Sequence, residues 1–270
     1  MYLGIDIGGT KTLIACLDKD GVIQQSVKFP TPQDYGDFLN DLAKNVATLS
    51  TKEFAACGVA APGRLDTKKE VGVVFGNLPW KNVTLKSDIR HMIRCPVVLE
   101  NDANLAGLSE AMLLKHKYNR VLYITISTGI NIGLIINQHI DSDIAPEAGD
   151  IVMERHGKLE TWEHFASGKA IVRRFGKRAS DIDDEATWRT IAHDFALGIA
   201  DLIAVVQPQV IVIGGSVGVY FEKYEKLLKE ALKQFETPLT PTPVIVQAGR
   251  PDQAVVYGCY DLAKQAYGDK

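Results

Sequence analysis

Two stretches of the chain share one pattern: an apolar strand, a glycine-containing turn and a second strand. They lie at residues 5–17 and 122–136. Because a strand follows each turn, these are hairpins and not the strand–helix units of dinucleotide-binding proteins. Each hairpin leads into mixed helical and strand patterns. We therefore predict an α/β chain built from two lobes, with a ligand-binding cleft between them.

Hydrophobic periodicity predicts the remaining elements. The predicted strands are 2–7, 12–17, 22–28, 55–61, 96–99, 121–127, 132–137, 210–213 and 244–247. The predicted helices are 37–49, 85–93, 103–114, 160–177, 187–206, 219–235 and 254–266. We expect a small lobe of residues 1–102, completed by the C-terminal helix at 254–270, and a large lobe of residues 103–253.

Charge and cysteine usage exclude several classes of protein. The chain has 270 residues and a net charge of −3, so a nucleic acid or an anionic membrane surface is not an expected partner. No apolar run is long enough to span a bilayer, and the N-terminus does not resemble a signal peptide. The four scattered cysteines form no C-x-x-C pair, which argues against a zinc site or a disulfide framework and favours a cytoplasmic location.

The first glycine turn could bind phosphate. It reads Asp6-Ile7-Gly8-Gly9-Thr10-Lys11 and is neither a Walker loop nor a Rossmann fingerprint. Glycines allow close backbone approach, and successive backbone N–H groups can form an anion-binding nest. The alternative is a tight hairpin in which Gly-Gly only meets a conformational demand.

A second candidate site lies where a buried strand ends and a helix begins, at Glu100-Asn101-Asp102-Ala103-Asn104. Asp102 is either an N-cap that satisfies free N–H groups or a general base that accepts a proton from an attacking hydroxyl. Trp80 either belongs to the core or walls a pocket. Both pairs of alternatives are open at the level of sequence.

These motifs resemble the ROK family (repressors, uncharacterised frames, sugar kinases) of the actin/hexokinase ATPase superfamily. The resemblance is collinear over most of the chain. Its motifs are the first glycine turn, Ala61-Pro62-Gly63, Asn77-Leu78-Pro79, Glu100–Asn104, the turn near Gly129, Glu147-x-Gly149, Glu163 before Ala166-Ser167-Gly168, and Ile213-Gly214-Gly215.

The resemblance implies a two-lobed actin-like ATPase (ribonuclease H-like) fold with a central cleft. It implies ATP-dependent phosphorylation of a hexose hydroxyl, with Asp102 as base and Asn101 bonded to a neighbouring hydroxyl. The other implied sugar-binding residues are Gly63, Asn77, Glu147 and Glu163. The implied nucleotide-binding residues are Asp6, Gly8, Gly9, Thr10, Lys11, Thr128, Gly129, Gly214 and Gly215. Asp6 is also implied to hold Mg²⁺ through water.

The chain departs from the family pattern in two places. Asp150 stands where most family kinases have a histidine, and the cysteine-rich zinc loop is absent, so we expect no zinc and assign Asp150 to the sugar site. Ser127 and Asn131 replace glycines of the second phosphate loop. These departures leave three alternatives: a weak or inactive sugar-sensing regulator, a kinase that uses polyphosphate, and a kinase for an amino sugar. A homodimer is common among such enzymes, but the sequence leaves the oligomeric state open.

Overall fold

The computed structural model describes residues 1–66, 70–115 and 117–268. They form two compact units, each with its own sheet. The first unit is Met1–Ser109 with Asp252–Lys270, and the second is Glu110–Pro251. The observed division therefore falls within the helix that begins at Asp102, a few residues after the boundary expected from the sequence.

The first unit contains strands β1 to β8. Its strands are β1 (Tyr2–Ile7), β2 (Lys11–Leu17), β3 (Ile23–Pro30), β4 (Ala56–Ala61), β5 (Arg64–Asp66), β6 (Val71–Phe75), β7 (Leu78–Val83) and β8 (Val97–Asn101). The second unit has β9 (Arg120–Ile126), β10 (Ile130–Ile136), β11 (His139–Ile140), β12 (Val152–Arg155), β13 (Lys158–Thr161), β14 (Val210–Gly214) and β15 (Val244–Gln247).

Helices follow the strands along the whole chain. They are α1 (Tyr35–Val46), α2 (Leu85–Ile93), α3 (Asp102–Leu113), α4 (Trp162–Ala166), α5 (Gly168–Phe175), α6 (Glu185–Val206), α7 (Gly215–Gly218), α8 (Phe221–Leu232) and α9 (Ala254–Tyr267). A 3-10 turn spans Ala148–Asp150. This turn and the start of α3 carry several of the predicted site residues.

The two main sheets have the same topology. The first has the order β3-β2-β1-β4-β8 and the second the order β11-β10-β9-β14-β15. In each sheet the three consecutive strands of the meander are antiparallel, and the other two strands run parallel to the first strand of that meander. This duplication confirms that the two hairpins seen in the sequence begin equivalent α/β halves.

Helix α9 packs against β1 and β4 in the first unit. A Cβ atom on Gly58 would lie 2.1 Å from the backbone oxygen of Cys259, and one on Gly4 would lie 3.0 Å from Val256. Glycine is therefore required at Gly58 for helix and sheet to approach this closely. The opposite face of the sheet holds Leu3, Ile5 and Ile7 in a core shared with α1 and α2.

Trp80 belongs to the core of the first unit. Its side chain is 3% exposed and contacts the rings of Tyr35, Phe38 and Phe75. Its indole N–H donates to the backbone oxygen of Gln33 at 2.8 Å. The structure thus decides the question that the sequence left open for this residue in favour of packing.

The core of the second unit is built around α6, which has 22 residues. Trp188 on this helix stacks on Tyr224 of α8, with the ring centroids 5.1 Å apart. Gly198 on α6 lies against Trp162, because a Cβ there would approach the indole ring to 2.2 Å. Within the described part of the chain, no helix is both long enough and apolar enough to cross a membrane.

The predicted helix at 160–177 is wrong as a single element. The structure has strand β13 and then two short helices, α4 and α5, separated at Ser167. Ser167 is extended, with φ −69° and ψ 165°, and its side chain accepts a hydrogen bond from the N–H of Ala170. The serine therefore ends one helix and caps the next, which a continuous apolar periodicity does not reveal.

Candidate functional site

The first glycine turn is the tight connection between β1 and β2. The Gly8 N–H donates to the Lys11 carbonyl at 3.0 Å, and the Thr31 hydroxyl donates to the Gly8 carbonyl at 2.8 Å. Neither Gly8 nor Gly9 has a positive φ. A Cβ on Gly8 would instead lie 2.9 Å from the Lys11 carbonyl, so close packing rather than backbone conformation requires glycine there.

Asn77 lies beside the same turn. A Cβ on Gly9 would be 3.2 Å from the Cβ of Asn77, so these two predicted residues, one for the nucleotide and one for the sugar, are neighbours. Thr10 and Lys11 at the tip of the turn are exposed. The turn therefore presents a hydroxyl and an ammonium group to solvent next to a side-chain amide.

Asp6 and Asp102 bring two carboxylates together in the first unit. Asp6 is half-buried near the end of β1, and Asp102 begins α3. Burial, followed by the negative charge of Asp102, raises the pKa of Asp6 to about 7, whereas Lys28 opposes the shift. The Oδ1 atom of Asp102 accepts a hydrogen bond from the N–H of Ala103 at 2.8 Å, which orients its carboxylate at the helix N-terminus.

Asn101 connects the base candidate to Gly63. Its amide nitrogen donates to the Gly63 carbonyl at 3.2 Å, and its amide oxygen accepts from the N–H of Ala103 at 2.8 Å. Gly63 has φ +91°, and a Cβ there would lie 2.2 Å from the Val74 carbonyl. Only glycine fits this position, so Gly63 and Asn101 together fix the backbone next to Asp102.

A second cluster of predicted residues forms in the second unit. Glu163 on α4 accepts a hydrogen bond at Oε2 from the N–H of Ile130, at 2.9 Å. Partial burial, then the charges of Asp150 and Glu163, raise the pKa of Glu147. The amide of Asn131, once its oxygen and nitrogen are assigned by their hydrogen-bond partners, donates to Glu147 at 3.3 Å. Three carboxylates therefore lie near the second glycine turn.

Two glycines allow this cluster to form. A Cβ on Gly129 would lie 2.4 Å from the Glu163 carboxylate, and one on Gly149 would lie 2.5 Å from the Ile130 carbonyl. The second turn, the 3-10 turn and α4 thus approach closely at both glycines: the nearest atoms to Gly129 belong to a side chain, whereas the nearest atom to Gly149 is a backbone oxygen. This close approach explains why the sequence has glycine at positions 129 and 149.

A cavity of about 830 Å³ opens beside the second turn. Its lining combines small polar residues, basic side chains and one aromatic ring. The lining residues are Ser127, Thr128, Gly168, Lys169, Val172, Arg173, Arg178, Ala179, Ser180, Ser216, Val217 and Tyr220. Its size suits a ligand as large as a nucleotide, and the hydroxyls and cations could bind phosphate oxygens.

The predicted adenosine-site glycines contribute to this cavity indirectly. Gly215 has φ +80°, and a Cβ there would lie 2.5 Å from the Ile126 carbonyl; a Cβ on Gly214 would lie 2.2 Å from the Tyr123 hydroxyl. Both glycines thus pack against β9. The next two residues, Ser216 and Val217, line the cavity.

Sequence reasoning missed the basic side chains of this cavity: Lys169, Arg173 and Arg178. They follow Ser167, where the predicted single helix is interrupted. Ser167-Gly168 in the middle of a helical pattern is the signal that could have revealed a new helix start at this point.

A different cavity, of about 670 Å³, lies between α6 and the β12–β13 hairpin and contains none of the predicted site residues. Its Arg155 pairs with Asp194, and its Arg189 pairs with Glu185 and Glu230. Its arginine charges are therefore already balanced within the protein.

The residues that the structure describes offer few ligands for a metal ion. They contain no group of three or more His, Cys, Asp or Glu side chains arranged to hold a metal ion. All four cysteines are buried free thiols. Asp6 and Asp102 form a smaller pair of only two carboxylates.

Comparisons with known proteins agree with the collinear motifs. A family model described as the ROK family matches residues 2–266. Glucokinase of Streptomyces coelicolor is 26% identical over 313 residues, covering 98% of this chain and 98% of that protein. Fructokinase of Zymomonas mobilis is 28% identical over 293 residues, covering 98% and 97%.

A solved structure supports the same assignment. The crystal structure of a ROK family glucokinase from Streptomyces griseus, in complex with glucose and AMPPNP, matches with a TM-score of 0.82 at 25% identity. The match covers 98% of this chain and 99% of that one. It confirms the predicted actin-like ATPase fold. Because the family model spans nearly the whole chain, this protein belongs to the ROK family.

Proposed function

We propose that this protein is an ATP-dependent carbohydrate kinase that phosphorylates a hexose hydroxyl. The kinase relatives named above support this reaction. Asp102 carries the proposal within the structure, because its carboxylate is oriented by the Ala103 N–H at the start of α3. A helix N-terminus stabilises the anionic form that a general base needs.

Phosphoryl transfer needs few chemical groups from the protein. Phosphoryl transfer requires aligned oxygens, neutralised charge and one proton acceptor for the attacking hydroxyl. We propose that Asp102 accepts that proton as the hydroxyl oxygen bonds to the γ-phosphorus and the bond to the ADP oxygen breaks. Asn101 and Gly63, which are bonded to each other, would keep Asp102 in place.

Carboxylates and amides suit the hydroxyls of a sugar, because each can accept or bridge two hydrogen bonds. We propose that Glu147, Glu163, Asp150 and Asn77 bind these hydroxyls. Asn101 already uses its amide oxygen and nitrogen within the protein, so its proposed contribution to the sugar is the second amide hydrogen.

The nucleotide is assigned to the 830 Å³ cavity of the second unit, with Ser127, Thr128 and Lys169 toward its phosphates. The first turn, with Gly8, Gly9, Thr10 and Lys11, is assigned to the phosphate that is transferred. Backbone N–H groups of such turns bind anions without needing a positively charged side chain. Because the Gly8 N–H donates to the Lys11 carbonyl, the proposed backbone donors are those of Gly9 and Thr10.

A magnesium ion fits the first unit. Burial, and then the negative charge of Asp102, raise the pKa of Asp6, and a divalent cation would stabilise both carboxylates in their charged form. We propose that Asp6 holds Mg²⁺ through water. The bound ion would neutralise charge on the ATP phosphates.

The test is ADP release in a coupled assay with Mg-ATP, a panel of hexoses and amino sugars, and Asp102→Asn as control. Amino sugars belong in the panel because Asp150 adds a third carboxylate beside Glu147 and Glu163. We expect turnover with at least one sugar, and a fall in kcat of roughly 10²- to 10⁴-fold in the variant. Full activity of Asp102→Asn would refute the assignment of the base.

Donor and sensor alternatives are tested with the same protein. Turnover with polyphosphate but not with ATP would show that polyphosphate is the phosphoryl donor. Sugar binding by calorimetry, without turnover from either donor, would instead identify a sugar-sensing protein.

A further inference from the structure

Asp194 is a buried carboxylate that lies outside the residues assigned above. It lies on α6 with a relative exposure of 3%. Its Oδ1 atom is 3.2 Å from Nε of Arg155 on β12, and its Oδ2 atom is 2.6 Å from Nη1 of Arg174 on α5. A buried charge is strongly unfavourable unless it is paired, so Asp194 and the two arginines depend on one another.

Both arginines also contact Phe165 of α4. Nη1 of Arg174 donates to the Phe165 carbonyl, and the guanidinium of Arg155 lies 5.1 Å from the centroid of the Phe165 ring. One carboxylate therefore orients the two cations that hold the C-terminal half of α4.

The N-terminal end of α4 is attached to the same residue. The backbone carbonyl of Asp194 accepts a hydrogen bond from the indole N–H of Trp162 at 3.1 Å. The indole also packs on Gly198, one turn further along α6. A helix of five residues is not stable alone, so these tertiary contacts determine where α4 lies.

Glu163 is located between the two attached residues, Trp162 and Phe165. Its carboxylate reaches the N–H of Ile130 at 2.9 Å, beside the second glycine turn. We propose that Asp194 is a positioning residue, whose carboxylate acts through Arg155 and Arg174 to hold α4, and with it Glu163, against that turn. The relevance of Asp194 to catalysis rests on the proposed sugar-binding role of Glu163. The structural link from Asp194 through α4 to Glu163 does not depend on that role.

The first experiment measures this link without any substrate. Hydrogen exchange of the Ile130 amide is compared among wild type, Asp194→Asn and Trp188→Phe. Trp188 is a matched control because it is buried on the same helix and donates its indole N–H to Ile182, not to α4. We expect exchange roughly tenfold faster in Asp194→Asn than in the control. Equal exchange in the two variants would overturn the proposal.

Arg174→Gln provides a second, milder variant in case Asp194→Asn does not fold. It leaves Asp194 paired with Arg155 but removes the donor to Phe165. Exchange at Ile130 should increase in the same direction. An unchanged exchange rate in a folded Arg174→Gln protein would contradict the proposal that the arginines hold α4 in place.

The second experiment uses a sugar that the wild type phosphorylates. We expect Asp194→Asn to raise the KM for sugar roughly tenfold, with a smaller change in the KM for ATP. If Asp194 acts through Glu163, the double variant Glu163→Gln/Asp194→Asn should bind sugar no worse than Glu163→Gln alone. Additive losses would overturn the proposal. If the wild type phosphorylates no sugar, the proposed function fails, while the exchange experiment still decides the role of Asp194.

Discussion

Glu163 accepts a hydrogen bond from the backbone N–H of Ile130 at 2.9 Å, so a single carboxylate joins helix α4 to the second glycine turn. The same carboxylate fills the space beside Gly129, where a Cβ would lie 2.4 Å from Oε2. The turn and the proposed sugar-binding glutamate therefore cannot change independently. Two substitutions at neighbouring glycines separate the effects on function and on stability.

Gly129→Ala should impair sugar binding more than folding. The new methyl group meets the far end of a flexible side chain, so Glu163 can move away at little cost in stability. We expect the KM for sugar to rise roughly tenfold. The free energy of unfolding should fall by less than about 1 kcal/mol. Steady-state kinetics and urea denaturation check the two quantities on the same preparation.

Gly149→Ala is the contrasting variant. Its new methyl group would lie 2.5 Å from the backbone carbonyl of Ile130, which cannot rotate away. We expect a loss of about 1–3 kcal/mol in the free energy of unfolding. Equal stability of the two variants would contradict this distinction between side-chain and backbone contacts.

Much of the fold was predictable because strands with apolar alternation are bounded by glycine turns. The predicted segments at 2–7, 85–93 and 244–247 agree with β1, α2 and β15 residue for residue. The equivalence of the two sheets also follows from the repeated hairpin pattern. By contrast, strands β5 to β7 and the β12–β13 hairpin were missed. Strands β5, β12 and β13 have at most four residues, β6 contains a glycine and β7 a proline, and both residue types weaken a strand pattern.

The motifs around Asp6 and Asp102 were recognisable in the sequence because each combines several residue types within a few positions. The structure brings these two carboxylates close enough to interact, and their roles stay predictions. The charged lining of the 830 Å³ cavity was not predictable. Lys169 and Arg178 are exposed basic residues whose location depends on the break at Ser167 and on tertiary packing. The ion pairs of Asp194 could not be predicted either, because a single aspartate in an apolar helix does not indicate which arginines it binds.

The basic side chains of the cavity should contribute to nucleotide affinity. Lys169→Met and Arg178→Met each remove a cation that lines the cavity beside Ser127 and Thr128. A charge-assisted hydrogen bond contributes about 1.5–3 kcal/mol, so we expect the KM for ATP to rise roughly tenfold or more. The KM for sugar should change little. Lys158→Met, an exposed lysine of β13 that does not line the cavity, is the control, and an equal effect there would contradict the assignment.

The packing of α9 should depend on Gly58 more than on Gly4. A methyl group at Gly58 would lie 2.1 Å from the backbone oxygen of Cys259, whereas one at Gly4 would lie 3.0 Å from a side-chain methyl of Val256. We expect Gly58→Ala to lower the free energy of unfolding by about 3 kcal/mol or to prevent folding. Gly4→Ala should lower it by about half as much or less. Thermal and urea denaturation measure both losses. A larger loss for Gly4→Ala than for Gly58→Ala would contradict the described packing of α9 on the sheet.

Asp6 should make the metal-free protein less stable as the pH rises from 4 to 7. Burial and the charge of Asp102 raise its pKa from 3.8 to about 7, so the unfolded chain releases this proton at a lower pH than the folded protein does. Between these two values the unfolded state binds fewer protons, and the free energy of unfolding therefore falls with rising pH. Above pH 7 the accumulated penalty is on the order of 4 kcal/mol.

Asp6→Asn removes this ionisation, so the variant should be more stable than the wild type at pH 8 and nearly equal to it at pH 4. Urea denaturation at both pH values, with a chelator present, measures the difference. Asp37→Asn serves as the control, since Asp37 is an exposed carboxylate in the first turn of α1. If the difference between Asp6→Asn and wild type were the same at pH 4 and pH 8, Asp6 would not be the group that titrates near pH 7. The two carboxylates would then lie far enough apart, or close enough to water, to ionise together.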